Sequence, residues 1–333
     1  MDAYTSIKRA ILDRNFTPIY FLMGNEPFFV DQLSQLLIDT VLYEDQRDFN
    51  QTILYGKDTT VEEIVTVCKR FPMMADHQLV VVREAHVLSR SIEKLVAYAA
   101  QPQTTTVLVI CYKNKELNKR KKLYKVIAKN GTIVETKNIY DDKLPVWIEQ
   151  CVREQKRKID FKAAAVLAES VGGDLGILYN QINKLCLVVA LGESITANHV
   201  EQHVGISKEY NNFELRKALG NGHTAKAYTI AHFFGSHPRQ HPLLGTIRSL
   251  HNYFMQLLTY HGLRSKNPNT VAKALGIHPF FVLEIEQAAR RYPLKSIVPI
   301  LGIIKKADLA VKGVDSVPRP EREVLQELIS HIV

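Results

Sequence analysis

Five short apolar runs in the first 140 residues, each parted from the next by a stretch with helical spacing, fix what that part of the chain can fold into. They lie at 19–23, 53–54, 79–82, 106–111 and 132–135. The runs at 19–23, 79–82 and 106–111 are apolar without polar alternation, which is how strands read when both sheet faces are covered. Between them, Phe29, Leu33, Leu36 and Leu37 share one helical face. Thr60 stands where an N-cap would start a helix through Val61, Ile64, Val65 and Val67, and 91–100 reads as a short amphipathic helix. Strands alternating with helices predict a parallel sheet with helices on both sides.

After Asp141-Asp142 the strand signals stop. Segments 144–152, 161–171 and 175–191 read as helices, with a break at Gly172-Gly173 and Asp174 as an N-cap, and 195–204 adds a fourth. The polar connection 207–212 leads to six further helical stretches, at 213–219, 224–234, 242–260, 269–275, 279–292 and 294–313, punctuated by Gly220, Gly235, Gly262, Pro293 and Pro318. The expected fold class is α/β plus all-α in three domains: an α/β domain over 1–140, a small helical domain over 141–207 and a second helical domain over 208–333. No window supplies the roughly 20 uncharged apolar residues of a membrane span. The N-terminal stretch has no apolar core of a secretory signal. Cys68, Cys111, Cys151 and Cys186 are far apart and form no CxxC, so they read as reduced thiols of a cytoplasmic protein, with no zinc site or disulfide framework suggested.

The chain holds 43 Lys and Arg against 34 Asp and Glu, a net charge of +9. The excess is not spread evenly. Residues 1–207 hold 26 basic against 25 acidic groups, whereas 208–333 hold 17 against 9, and 113–129 alone carries eight basic residues against Glu116. Concentrated positive charge fits either a polyanion, of which nucleic acid is the commonest, or a solvated face.

A strand, then glycine, then a helix is the setting of a phosphate-binding loop. The loop chemistry needs G-x-x-x-x-G-K-[ST], whose backbone amides cradle phosphate and whose lysine offsets its charge. Here Gly24 is followed by Asn25, Glu26, Pro27, Phe28, Phe29, Val30 and Asp31. Phe29 replaces the second glycine, Val30 the lysine and Asp31 the hydroxyl residue, while Pro27 removes an amide donor. The run at 79–82 ends in Arg83 where a magnesium-holding carboxylate would stand, with Glu84 next to it. Both defects argue against ATP chemistry. His199-Val200-Glu201-Gln202-His203 departs from H-E-x-x-H and reads as a helix face rather than a metal site; His232, His237 and His241 read as local polarity, and no G-x-S-x-G elbow is present.

Phe71-Pro72-Met73-Met74-Ala75-Asp76-His77-Gln78 sits between a helix and a strand. Consecutive methionines point in different directions, so one core face does not easily bury both. Two readings stand: an adaptable plug for a partner's pocket, or side chains folded back beneath the loop as core.

Taken in order, several stretches resemble the delta-subunit family of the bacterial DNA polymerase III clamp loader. They are Ile19-Tyr20-Phe21-Leu22-Met23-Gly24-Asn25-Glu26-Pro27-Phe28, the run from Phe71 to Val82, Arg120-Lys121-Lys122-Leu123, Gly173-Asp174-Leu175, His278-Pro279-Phe280 and Ala307-Asp308-Leu309-Ala310-Val311-Lys312-Gly313. The resemblance implies an AAA+ type module, with a RecA-like α/β domain lacking a working P-loop, a helical lid and a helical collar. It implies no cofactor, no metal and no ATP binding or hydrolysis, and the Ser-Arg-Cys arginine-finger tripeptide is missing from this sequence. The implied protein is a non-catalytic subunit of a DNA-directed DNA polymerase holoenzyme. It would bind the sliding clamp, the beta subunit, and spring it open for loading onto primed DNA. The family's paired apolar contact residues, usually leucine or phenylalanine, fall on Met73 and Met74, with Phe71 beside them. Methionine fills a pocket without a rigid ring and loses more rotamer freedom on doing so. The collar would join gamma/tau and delta prime subunits. Lys113, Lys115, Lys119, Arg120, Lys121 and Lys122 would meet primer–template phosphates or form a solvated face. The rival readings are an active AAA+ ATPase and a stand-alone DNA-binding protein.

Overall fold

The five apolar runs become one parallel sheet. In the computed structural model, which describes residues 2–140, 143–204, 210–314 and 319–333, the chain opens with α1 (Asp2–Leu12) and enters β1 (Ile19–Gly24). It continues through α2 (Pro27–Val41), α3 (Arg47–Asn50), β2 (Gln51–Tyr55), α4 (Val61–Cys68), β3 (Gln78–Arg83), α5 (Val96–Ala100), β4 (Thr106–Lys113), α6 (Lys122–Asn130) and β5 (Thr132–Thr136). The strand order is β2-β3-β4-β1-β5, and every neighbouring pair is parallel. Alternate residues of the same strands feed two cores. Phe21, Met23, Val80, Val82, Leu108 and Ile110 pack with residues of α4, α5 and α6. Tyr20, Leu22, Leu79, Val81, Val107 and Val109 pack with α1 and α2. Because both faces are covered, the strands show no polar alternation.

Local chemistry starts the helices where the sequence indicates. Thr60 and Glu63 form a capping box: Glu63 N–H donates to Thr60 Oγ1 at 3.2 Å and Thr60 N–H to Glu63 Oε2 at 2.8 Å. The expected single helix over 91–100 is split into a 3-10 segment, Ile92–Leu95, and α5, and a further 3-10 segment, Ala85–Arg90, precedes it after β3. Their buried residues Leu88, Ile92 and Leu95 recur at three- and four-residue spacing, which suits either helix type. Burial raises the thiol pKa of Cys68 to about 12 and of Cys111 to about 11, so both stay protonated and inert at neutral pH.

Contacts divide the chain into two compact units, Met1–Ile139 and Tyr140–Val333. The second is helical. It runs through α7 (Leu144–Glu154), α8 (Phe161–Val171), α9 (Leu175–Val188), α10 (Ala197–Val204), α11 (Asn212–Gly220), α12 (Thr224–Ser236), α13 (Leu243–Gly262), α14 (Pro268–Leu275), α15 (Val282–Arg291), α16 (Leu294–Val311) and α17 (Glu321–Ile332). Asp174 caps α9, accepting from Ile177 N–H at 2.9 Å. Two features depart from the sequence reading. A parallel pair of two-residue strands, β6 (Lys158–Ile159) and β7 (Ser194–Ile195), interrupts the helices, and pieces this short carry no period. Helices α1 and α17 were also unanticipated, although Val324, Leu325, Leu328, Ile329 and Ile332 bury one face of α17. The expected boundaries at Asp141-Asp142 and at 207/208 lie outside the described residues. Glu214 is buried at the start of α11 and is met by Lys226 of α12 and Lys162 of α8. Burial pushes its carboxyl pKa up, but the two lysines outweigh it and hold the net value below the glutamate norm. Among the described residues no helix is long and apolar enough to cross a membrane.

Candidate functional site

Since all five strands run the same way, the sheet has a carboxyl edge and an amino edge. Open α/β sheets bind ligands at the carboxyl edge, where the connections change direction. That is where the β1–α2 turn sits, and it is closed by the protein itself. Gly24 N–H donates to Lys115 C=O and Asn25 N–H to Thr136 C=O, both at 3.1 Å, while Gly24 C=O accepts from Asn114 N–H at 2.9 Å. Glu26 is buried and its carboxylate occupies the N-terminus of α2, accepting from Phe28 N–H at 3.1 Å. An anion therefore already fills the place where phosphate would meet that helix. Asp31, which stands at the hydroxyl position of the phosphate-loop pattern, is paired with Lys113 Nζ at 2.6 Å. Gly24 has φ +126°, and a Cβ there would lie 2.1 Å from Thr136 C=O, so β5 packs directly on the turn. On β3, Arg83 ends the strand and Glu84 is exposed in the left-handed region at φ 52°.

The opposite, amino edge carries the methionine loop. It leaves α4, turns, and enters β3 at Gln78. Phe71 is 79% exposed, Met73 52% and Met74 96%, so none of the three folds back as core. Three buried polar residues hold the base of this loop. Gln78 Nε2 lies 2.5 Å from Arg70 C=O and 2.7 Å from Thr106 Oγ1, and Thr106 Oγ1 donates to Cys68 C=O at 2.8 Å. Asn50, from the end of α3, grips Met73 on both sides: Met73 N–H donates to Asn50 Oδ1 at 2.6 Å and Asn50 Nδ2 donates to Met73 C=O at 2.9 Å. Gln78, Thr106 and Asn50 are each less than 7% exposed. Met74, next along, holds φ 52°, a left-handed conformation costing an L side chain about 1–2 kcal/mol. A loop that keeps two methionines in water and one of them in a costly backbone state is not optimised for folding alone.

The six basic residues are not equivalent. Lys113 pairs with Asp31, Lys119 with Glu135 at 2.8 Å and Lys121 with Glu93 at 3.5 Å, while Lys115 Nζ reaches Ser89 Oγ at 3.1 Å. Arg120 and Lys122 are exposed and have no ion pair among the described residues. The Glu135 hydrogen bond raises the Lys119 pKa above the ordinary lysine value. Among the described residues no His, Cys, Asp and Glu cluster could hold a metal. His199 instead accepts from Thr196 N–H at 3.2 Å, and His241 stacks on Phe234 with ring centres 4.4 Å apart.

Sequence reading named the exposed residues but not those that hold them. Asn50, Gln78 and Thr106 are ordinary polar residues beside strand starts, and Asn50 meets Met73 across 23 residues. Thr136, at the end of β5, likewise acts across the chain, on Glu26 C=O 110 residues away, whereas Glu26 acts locally on Phe28 N–H and its capping role went unread.

A family model described as DNA polymerase III, delta subunit matches residues 20–137, the whole sheet of the first unit. The DNA polymerase III subunit delta of Bacillus subtilis (strain 168) is 23% identical over 338 aligned positions, covering 98% of this chain and 94% of that one. Over residues 20–137 the chain resembles the DNA polymerase III delta-subunit family. A probable DNA polymerase III subunit delta of Mycoplasma genitalium is 26% identical over 198 positions, covering 57% of this chain and 64% of that relative. Among solved structures, the Bacillus subtilis DNA clamp loader delta protein superposes with a TM-score of 0.56 at 21% identity, covering 99% of each chain. At that identity the likeness speaks for the fold, and it extends over both units of this chain.

Proposed function

We propose that this chain is the clamp-binding and clamp-opening subunit of a DNA polymerase III clamp loader, working in the cytoplasm and turning over no ATP itself. The observation that carries the reading is the exposed Met73–Met74 pair on a loop fastened from beneath by buried polar groups. A ring-shaped clamp has closed and open states. A subunit that binds the open state more tightly shifts the population by that difference in affinity and no more. Met73 and Met74 are the anchor, with Phe71 on the approach to them. The adjoining α/β surface favours the open geometry. The closed β1–α2 turn supports a subunit that takes no nucleotide, leaving hydrolysis to neighbouring gamma/tau subunits. Helices α7–α10 serve as the lid and α11–α17 as the collar that joins gamma/tau and delta prime. Of the basic run, Arg120 and Lys122 are the residues available to primer–template phosphates, since the other four already have partners.

The deciding experiment is capture of the cognate sliding clamp by the full chain and by Met73→Ala with Met74→Ala. Burying a methionine side chain contributes about 1.5–3 kcal/mol, so the double variant loses about 3 kcal/mol, on the order of a hundredfold in Kd. Its melting temperature stays at the parental value, because both side chains are exposed. Parental binding by the double variant overturns the site. ATP titration gives no saturable binding to the isolated chain, and micromolar affinity would restore the ATPase alternative.

A further inference from the structure

Asn50 is almost sealed from solvent and commits both ends of its carboxamide to the backbone N–H and C=O of one residue 23 positions away. Met73 N–H donates to Oδ1 at 2.6 Å and Nδ2 donates to Met73 C=O at 2.9 Å. The other Nδ2 hydrogen goes to Gln46 C=O at 3.0 Å, so the amide is itself fixed in orientation. Among the described residues, 71–76 make no backbone–backbone hydrogen bond. The loop thus takes from a side chain the pairing that a neighbouring strand would otherwise give. A carboxamide carries a donor and an acceptor in one plane, as a peptide group does; aspartate at neutral pH offers acceptors only, and leucine offers neither.

We propose that Asn50 is the positioning residue of the methionine pair. By holding the Met73 peptide in place before any partner arrives, it removes the cost of ordering the loop at the moment of binding. Met74 follows the pinned residue directly, in the left-handed region at φ 52° and with its side chain 96% exposed. The inference rests on reading Met73 and Met74 as the contact with the clamp ring.

The test uses the full chain, the cognate sliding clamp and two variants. Asn50→Leu weakens clamp binding about tenfold and speeds amide hydrogen exchange at Met73 by at least tenfold, while exchange at Val80, Val81 and Val82 in β3 stays parental. Asn50→Asp is the second arm. Protonated, its carboxyl both donates to Met73 C=O and accepts from Met73 N–H; ionised, it sets a carboxylate oxygen against that carbonyl. Its affinity relative to the parent at the same pH therefore recovers as pH falls from 8 to 5, whereas the leucine variant's ratio stays flat. A merely structural role gives no such recovery. Parental affinity and parental Met73 exchange in Asn50→Leu, in a chain whose binding is lost with Met73→Ala and Met74→Ala, overturn the positioning role and leave the site intact. If the double alanine variant itself binds normally, the site reading fails, and the exchange measurement, which involves no ring, decides by itself whether Asn50 holds the peptide.

Discussion

Two connections of the same sheet treat their polar groups in opposite ways. At the carboxyl edge, the β1–α2 turn directs its amides inward to Lys115 and Thr136 and fills the helix N-terminus with its own Glu26. At the amino edge, the 70–77 loop has buried side chains beneath it, while Phe71, Met73 and Met74 face water. Both places use positive φ. At Gly24 it lets β5 close onto the turn, and at Met74 it accompanies a fully presented side chain. One edge of this α/β domain thus closes on its own polar groups, while the other leaves large apolar side chains exposed.

If the carboxyl edge is closed by packing, it tolerates no side chain at Gly24. Gly24→Ala forces a Cβ to within 2.1 Å of the Thr136 carbonyl oxygen and strains φ +126°. The combined clash and strain cost about 3 kcal/mol or more. Urea unfolding followed by circular dichroism should show that loss, and a parental midpoint would break the comparison. Thr136→Val comes next. Thr136 is buried, and its Oγ1 lies 3.2 Å from Met23 C=O and 3.0 Å from Glu26 C=O. The nearly isosteric valine fills the space but leaves those carbonyls without the hydroxyl, costing about 1–2 kcal/mol. The same midpoint measurement reads it, and clamp capture stays parental because the amino edge is untouched.

Met74→Gly sharpens the contrast from the other side. Glycine removes the cost of φ 52°, but it also loosens the unfolded chain, and the two terms nearly cancel. Stability changes by no more than about 0.5 kcal/mol, although clamp capture falls. The same backbone region therefore demands glycine at position 24 for folding, whereas at position 74 it carries a methionine that folding does not require.

These differences explain which parts of the molecule the sequence made readable. The strands at 19–23, 79–82 and 106–111 were clear because cover on both faces leaves uninterrupted apolar runs. The departure from the phosphate-loop pattern was clear because that pattern needs particular residues at adjacent positions, and Phe29, Val30 and Asp31 are neighbours. The methionine pair stood out because two adjacent apolar side chains between a helix and a strand do not share one core face and because the resemblance falls on them; their exposure was not readable. Asn50, Gln78 and Thr136 were not readable, since each acts through a tertiary contact and none leaves a periodic trace. Helix α17 was different: its buried face had helical spacing, but the reading stopped at Pro318, before the helix began at Glu321. Pairs such as Lys119–Glu135 were hidden for another reason, because charge counts cannot tell a paired lysine from a free one.

That last pair gives the smallest effect and still bears on the comparison, because Glu135 precedes the Thr136 that closes the carboxyl edge. The hydrogen bond from Lys119 holds the Glu135 carboxyl pKa below the ordinary glutamate value; burial opposes this, and the Tyr124 hydroxyl at 3.0 Å adds to it. A carboxylate with a depressed folded-state pKa contributes stability above its unfolded value, and that contribution fades as pH drops through the folded value. Stability should therefore decline slightly faster below about pH 4.5 in the parent than in Glu135→Gln. Lys119 is exposed, so solvent and salt screen the pair, and the difference between the two acid profiles should vanish in about 0.5 M salt. An acid profile of Glu135→Gln that matches the parent at low salt would mean that the closed edge draws nothing from this charge and is held by Thr136 and Gly24 packing alone.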